Sequence, residues 1–161
     1  MILTDRQKIL TVLPRLLPAA PAGLVDDRDV LVRTEKMPPC PSESMTVRVH
    51  TPVGSAAAVW RGDPHDAVGW HHIEWTIDED ILWGHNTWPA ELTEPGVREE
   101  AGRIVLRGRL QLAEDGAAVL EMGDSQVPFD VSSPPPPDSA AHAWVEISVE
   151  ADKVELYPYF L

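Results

Sequence analysis

The sequence predicts a mainly β protein: a short N-terminal helix, then two small OB-like β-barrel modules, with a single β-sandwich as the alternative architecture. Three observations carry this reading. Sixteen prolines and ten glycines in 161 residues leave little room for long helices and many places for turns. From residue 29 onward, apolar side chains recur at every second position in short runs, the period of half-buried strands. Finally, two stretches resemble each other in the same order: 55–64 lies on 116–125, and 72–84 lies on 144–157 with one gap. The matched positions keep their character at Ile73/Val145, Trp75/Ile147, Ile77/Val149, Ile81/Val154 and Trp83/Leu156, which points to an internal duplication.

A chain of this length suits one domain or two small modules and can bury roughly 70% of its unfolded surface, so a real core is within reach. Its apolar content is ordinary, and global disorder is not expected. Residues 1–22 read as a helix and a connector. Thr4 and Gln7 have the spacing of a capping box, Ile9, Val12, Leu13 and Leu16 follow at helical spacing, and Pro14 should kink or stop the helix. Such a helix would cover one end of a sheet or dock on another protein. This start lacks the basic opening and uninterrupted apolar core of a secretory signal, because Asp5 precedes the first base and Pro14-Arg15 cuts the apolar run. No window approaches a membrane span. Cys40 is the single cysteine, so no internal disulfide can form. These features lead us to expect a cytoplasmic protein. The preference for Arg over Lys and the Ala/Pro bias are associated with GC-rich bacterial genomes.

The first β module is read at 23–89. Strand-like runs occupy 29–35, 45–51 and 55–61, with a proline loop at 37–41. Arg61-Gly62-Asp63 spells an adhesion tripeptide but ends a strand before Pro64, and is read as a turn. The segment 70–88 is the centre of the chain, with four of its six tryptophans and three of its six histidines. It reads as a hairpin turning at Asp78-Glu79-Asp80. That register sets Ile77 against Ile81, Trp75 against Trp83, Ile73 against His85 and Trp70 against Trp88. One face then carries His71, Ile73, Trp75, Ile77, Ile81, Trp83 and His85, and is the expected core. The other carries Trp70, His72, Glu74, Thr76, Leu82, Asn86 and Trp88. Residues 90–102 are polar, contain Pro95-Gly96 and Gly102, and read as a linker. The second module, 103–161, has strands at 103–112 with a bulge at Gly108, then at 117–122, 127–131, 143–150 and 154–157. A proline-rich loop at 132–139 stands where an OB barrel carries its helix.

Five of the six histidines fall between His50 and His85, yet their spacing matches no metal-ligand signature. Adjacent His71 and His72 must point to opposite faces, and only His71 and His85 could approach as diagonal neighbours. No metal or cofactor is expected. The sequence holds no G-x-S-x-G, no phosphate loop and no dinucleotide fingerprint, and its carboxylate runs read as solvated turns, so no catalytic residue is assigned.

The formal charge is −13, and residues 89–161 hold fourteen acids against five bases. That balance excludes a nucleic-acid footprint and favours a basic partner. The face of Trp70, His72, Glu74, Asn86 and Trp88 combines indoles with donors and acceptors, and is the candidate binding site. The expectation is therefore a non-catalytic binding protein, an acidic inhibitor or immunity-like partner of a basic protein. The alternative is a small-molecule-binding β-barrel, or an enzyme, that uses the Trp/His-rich face of the 70–88 hairpin.

Overall fold

A closed ring of five strands forms the first half of the architecture, in a computed structural model that describes residues 30–38 and 44–160. The expected helix and connector at 1–22 and the thiol of Cys40 lie outside the described residues. The ring contains β1 (Val30–Lys36), β2 (Thr46–Thr51), β3 (Gly54–Trp60), β4 (Gly69–Ile77) and the last strand of the chain, β11 (Val154–Tyr159). β1 pairs with β2 and β4, β2 with β3, and β11 closes the circle antiparallel to β4 and parallel to β3. Closure removes the two free edges that a four-stranded sheet would expose.

Alternation fills the ring. Val32, Val47, Val49, Ala56, Ala58, Trp60, Ile73, Trp75, Val154 and Leu156 are buried. Val47 is paired with Ala58 and Val49 with Ala56, so a branched side chain meets a methyl across each rung. The inward Ala56 and Ala58 leave space for the two indoles, Trp60 and Trp75, inside a narrow barrel.

The remaining strands, continuous with the ring through a β3 contact at Gly54, build what we call the second sheet around β7 (Arg103–Leu112), the longest described strand. One side of β7 pairs with β10 (Trp144–Glu150), which in turn pairs with β5 (Thr87–Pro89). Its other side pairs first with β6 (Gly96–Glu100) and then with β8 (Ala117–Met122), followed by β9 (Ser125–Asp130). Gly108 stands where the neighbour changes from β6 to β8, and a Cβ there would lie 2.3 Å from the Glu121 carbonyl oxygen. The expected bulge position is thus a point of close backbone approach. The buried side chains of ring and second sheet form one contiguous apolar cluster.

Two expectations are corrected. The segment 70–88 is not a hairpin. β4 keeps the sorting read from its period, but its partners are distant in sequence: Ile77 pairs with Val154, Trp75 with Leu156, and Trp70 with Arg33. Residues 78–83 run elsewhere. The Asp78 N–H donates to the Lys153 carbonyl, Ile81 bridges to Val131, and the Trp83 N–H donates to the Pro134 carbonyl. The physical reason lies at 82–87, where a turn closed by His85 and Asn86 N–H groups on the Leu82 carbonyl and Gly84 at φ +82° prevent a return strand. The segment 90–102, read as linker, contains β6. A Cβ on Gly54 (φ +141°) would lie 2.1 Å from the Val97 carbonyl oxygen, so only glycine allows β3 to meet β6 there. The charges that made this stretch look like a connector tie strands together: Glu99 accepts from the Ala57 N–H of β3, and Arg98 donates to Glu146 of β10.

Candidate functional site

The ring's outer face follows directly from the period of β4. With His71, Ile73 and Trp75 directed inward, Trp70, His72, Glu74 and Thr76 must point outward. β11 lies alongside, setting Tyr159 opposite His72 and Tyr157 opposite Glu74. On the other flank, β1 sets Leu31 opposite His72 and Arg33 opposite Trp70. The result is an aromatic surface on rigid strands. Trp70 is 50% exposed and Tyr157 41% exposed, while the His72 and Tyr159 rings lie 5.9 Å apart. Phe160, directly after β11, is 84% exposed.

Charges frame these rings. Arg33 donates to Glu35 at 2.5 Å, and the His50 ring nitrogen lies 2.8 Å from the same carboxylate. Burial pushes the Glu35 carboxyl up, but the Arg33 hydrogen bond and charge, with His50, outweigh it and hold the group below its ordinary value. Burial and the Arg33 charge together hold His50 below the usual imidazole value, against the pull of Glu35. Arg61 is engaged by Glu155 at the far edge of β11. Of the five sequence-predicted site residues, Trp70, His72 and Glu74 therefore lie together on this face.

Asn86 and Trp88 are elsewhere. Asn86 is buried: its Oδ1 accepts from the Leu82 N–H at 2.8 Å and the Thr87 hydroxyl at 2.9 Å, and its Nδ2 donates to the Asp80 carbonyl at 2.8 Å. That is a turn-holding role. Trp88 sits on β5 opposite Glu146 of β10, so it does not face Trp70. It borders a cleft of about 480 Å³ with Pro89, Glu91, Leu92, Arg98, Arg107 and Glu146.

No protein-family model, no curated protein and no solved structure matches the chain. Function must be read from the chemistry of the surfaces.

In the Trp88 cleft, Glu146 is gripped from two sides. Arg98 donates to it through two nitrogens at 3.0 and 3.3 Å, and Arg107 through one at 3.0 Å. The Arg98 hydrogen bond, followed by that of Arg107, overcomes burial and holds the Glu146 carboxyl below its ordinary value. Sequence reasoning missed this triad because its members come from β6, β7 and β10, which only the register brings side by side. It also missed Tyr157 and Tyr159, whose alternation along 154–159 was the available signal.

Of the two histidines that could have met as diagonal neighbours, His71 lies inward as expected and His85 does not. His71 packs inside the ring with its centroid 4.8 Å from that of Trp60, and His85 is an exposed residue of the 82–87 turn. No group of three or more His, Cys, Asp or Glu able to hold a metal occurs among the described residues. Asp63 caps the short turn Pro64–Asp66 by accepting from the His65 N–H at 2.8 Å, which gives the Arg61-Gly62-Asp63 tripeptide a structural use. Among the described residues no helix is long and apolar enough to cross a membrane.

Proposed function

We propose that this is a non-catalytic, cytoplasmic binding protein that occupies a basic surface on another protein, as an acidic inhibitor or immunity-like partner. The observation that carries the reading is the outer face of β4 and β11. There Trp70 and Tyr157 stand exposed, bordered by exposed Glu74 and by the Arg33–Glu35 and Arg61–Glu155 ion pairs. Tryptophan and tyrosine are the side chains that most often anchor interfaces. The two arginines nearest this face are already engaged by Glu35 and Glu155. A net charge of −13 would steer a cationic partner toward it. The matched runs on β3 and β8 support descent of the two halves from one β module.

The test is kinetic. The partner, captured from the native cell on the immobilised full chain, should associate more slowly as salt rises through about 0.15 M, where the Debye length is roughly 8 Å. Trp70→Ala should raise the off-rate, while Glu74→Lys or reversal of the turn acids Glu114 and Asp115 should act on the on-rate. A salt-independent on-rate would sink the reading. A second reading, a small-molecule site, is favoured by a separate observation: the cleft beside Trp88.

A further inference from the structure

We infer that the cleft between Trp88 and the Arg98–Glu146–Arg107 triad binds a small aromatic monocarboxylate. Its size fits such a ligand: about 480 Å³ lies within the roughly 300–1,000 Å³ typical of small-molecule sites. Its walls divide by chemistry. Trp88, Pro89 and Leu92 form an apolar side, and both Trp88 and Leu92 remain partly exposed, at 38% and 53%. An indole edge and a proline ring offer a planar ligand offset or edge-to-face contact.

The polar side offers donors. Each guanidinium has five N–H groups. Arg98 spends three in hydrogen bonds, two on Glu146 and one on Glu100, and Arg107 spends two, on Glu146 and the Glu94 carbonyl. Arg98 lines the cleft with its side chain 42% exposed, so its remaining N–H groups can meet a ligand acceptor in place of water. Glu146 already accepts three of the donated bonds. Arg107 is fixed: its side chain is only 13% exposed and lies over Gly96, where a Cβ would come within 2.9 Å of its Nη2. Arg98 is the accessible member, and its most exposed bond goes to Glu100, a 3.3 Å contact with a 64% exposed side chain. An exposed pair of this kind contributes little, so a ligand carboxylate can replace Glu100 on Arg98 while the Glu146 grip stays intact. Two guanidiniums disfavour a cation. The rim carboxylates of Glu91, Glu94 and Glu100 disfavour an anion of higher charge. A monoanion on a planar ring satisfies both sides.

The test uses the isotope-labelled full chain, with indole-3-acetate as the probe and indole-3-acetamide as its neutral twin, followed by nuclear magnetic resonance and calorimetry. Indole-3-acetate should bind saturably and shift the Trp88 indole N–H and the Arg98 Nε–H. The amide should bind about tenfold more weakly, because it lacks the charge-assisted hydrogen bond. Arg98→Gln should erase the preference for acid over amide, Trp88→Leu should weaken both probes alike, and Glu100→Gln should tighten the acid. Equal affinity for acid and amide on the unaltered protein would overturn the proposal without any variant having to fold. So would absence of saturation, or shifts confined to indoles other than Trp88. The cleft is built from β5, β6, β7 and β10, apart from the docking face. Trp70→Ala should therefore leave the titration unchanged, and a failure here leaves the docking reading standing.

Discussion

Asn86 donates and accepts at once, and both actions hold the 79–87 segment in place. Its amide joins the Asp80 carbonyl, the Leu82 N–H and the Thr87 hydroxyl, and it approaches Glu79 at 3.2 Å. Removing it leaves partners without bonds in a buried setting, where each unsatisfied group costs about 1–3 kcal/mol. Asn86→Ala should lower denaturant stability by that order, and Asn86→Asp should also destabilise, because a carboxylate cannot donate to Asp80 and repels Glu79. Equal midpoints for wild type and both variants would refute this role. Glu146 gives a pH-dependent counterpart. Its folded pKa lies below the ordinary carboxyl value of 4.5, so the folded state binds its proton less readily than the unfolded chain. The stabilisation is complete above that ordinary value and is lost as pH falls through the folded pKa. Glu146→Gln should therefore flatten the acid limb of the stability curve while lowering stability at neutral pH. An acid limb of unchanged slope would contradict it. Trp75 offers a third contrast. The indole is 2% exposed, and its Nε1–H has no acceptor among the described residues. Truncation to Ala should cost roughly 3–5 kcal/mol, whereas Trp75→Phe removes the unsatisfied donor and should cost well under half as much.

At the scale of elements, what the sequence made legible was periodicity, and what it hid was partnership. The alternation in β4 assigned His71, Ile73 and Trp75 inward and Trp70, His72 and Glu74 outward, and both assignments hold. The strands β2, β3, β7, β8, β10 and β11 fall within a few residues of their expected ranges for the same reason. The pairing was misread because nothing local says that Trp75 meets Leu156, a partner at the far end of the chain. A nearby apolar run, 81–83, offered an equally good local match. β6 was hidden for a different reason: of its five residues only Val97 is buried, and one apolar residue makes no pattern. The candidate site divided accordingly. Three residues from one strand stayed together, while Asn86 and Trp88, placed by the assumed hairpin, did not. Gly54 tests the element-level contact between β3 and β6. Gly54→Ala should destabilise by more than the ~1 kcal/mol of an ordinary glycine replacement, since a Cβ has no room against Val97 and the backbone φ is positive. A neutral or stabilising effect in thermal unfolding would show that the two strands part easily.

For the whole molecule, the decisive strand is β11. It pairs with β4 over six residues and with β3 over two, so the ring cannot close without a segment that lies beyond the whole second sheet in sequence. Val154 and Leu156 are fully buried in the apolar cluster that also contains Ile104, Leu106, Val145 and Ile147. Two independently folding modules at 23–89 and 103–161 would give separable transitions, and the first would survive alone. A ring closed by β11 predicts otherwise. Opening it exposes Ile73 and Trp75 along one edge and leaves β3 and β4 with unpaired backbone groups, which a small sheet tolerates poorly. Residues 23–89 expressed alone should therefore lack the sharp tertiary signals of a packed core, and Leu156→Ala should weaken ring and second sheet together. In the full chain, fluorine labels at Trp75 in the ring and Trp144 on β10 should report one coincident denaturant midpoint, the mark of a single cooperative unit. Two separated midpoints, or a folded 23–89 fragment, would return the chain to a pair of modules and make β11 an accessory strand instead of the closing one.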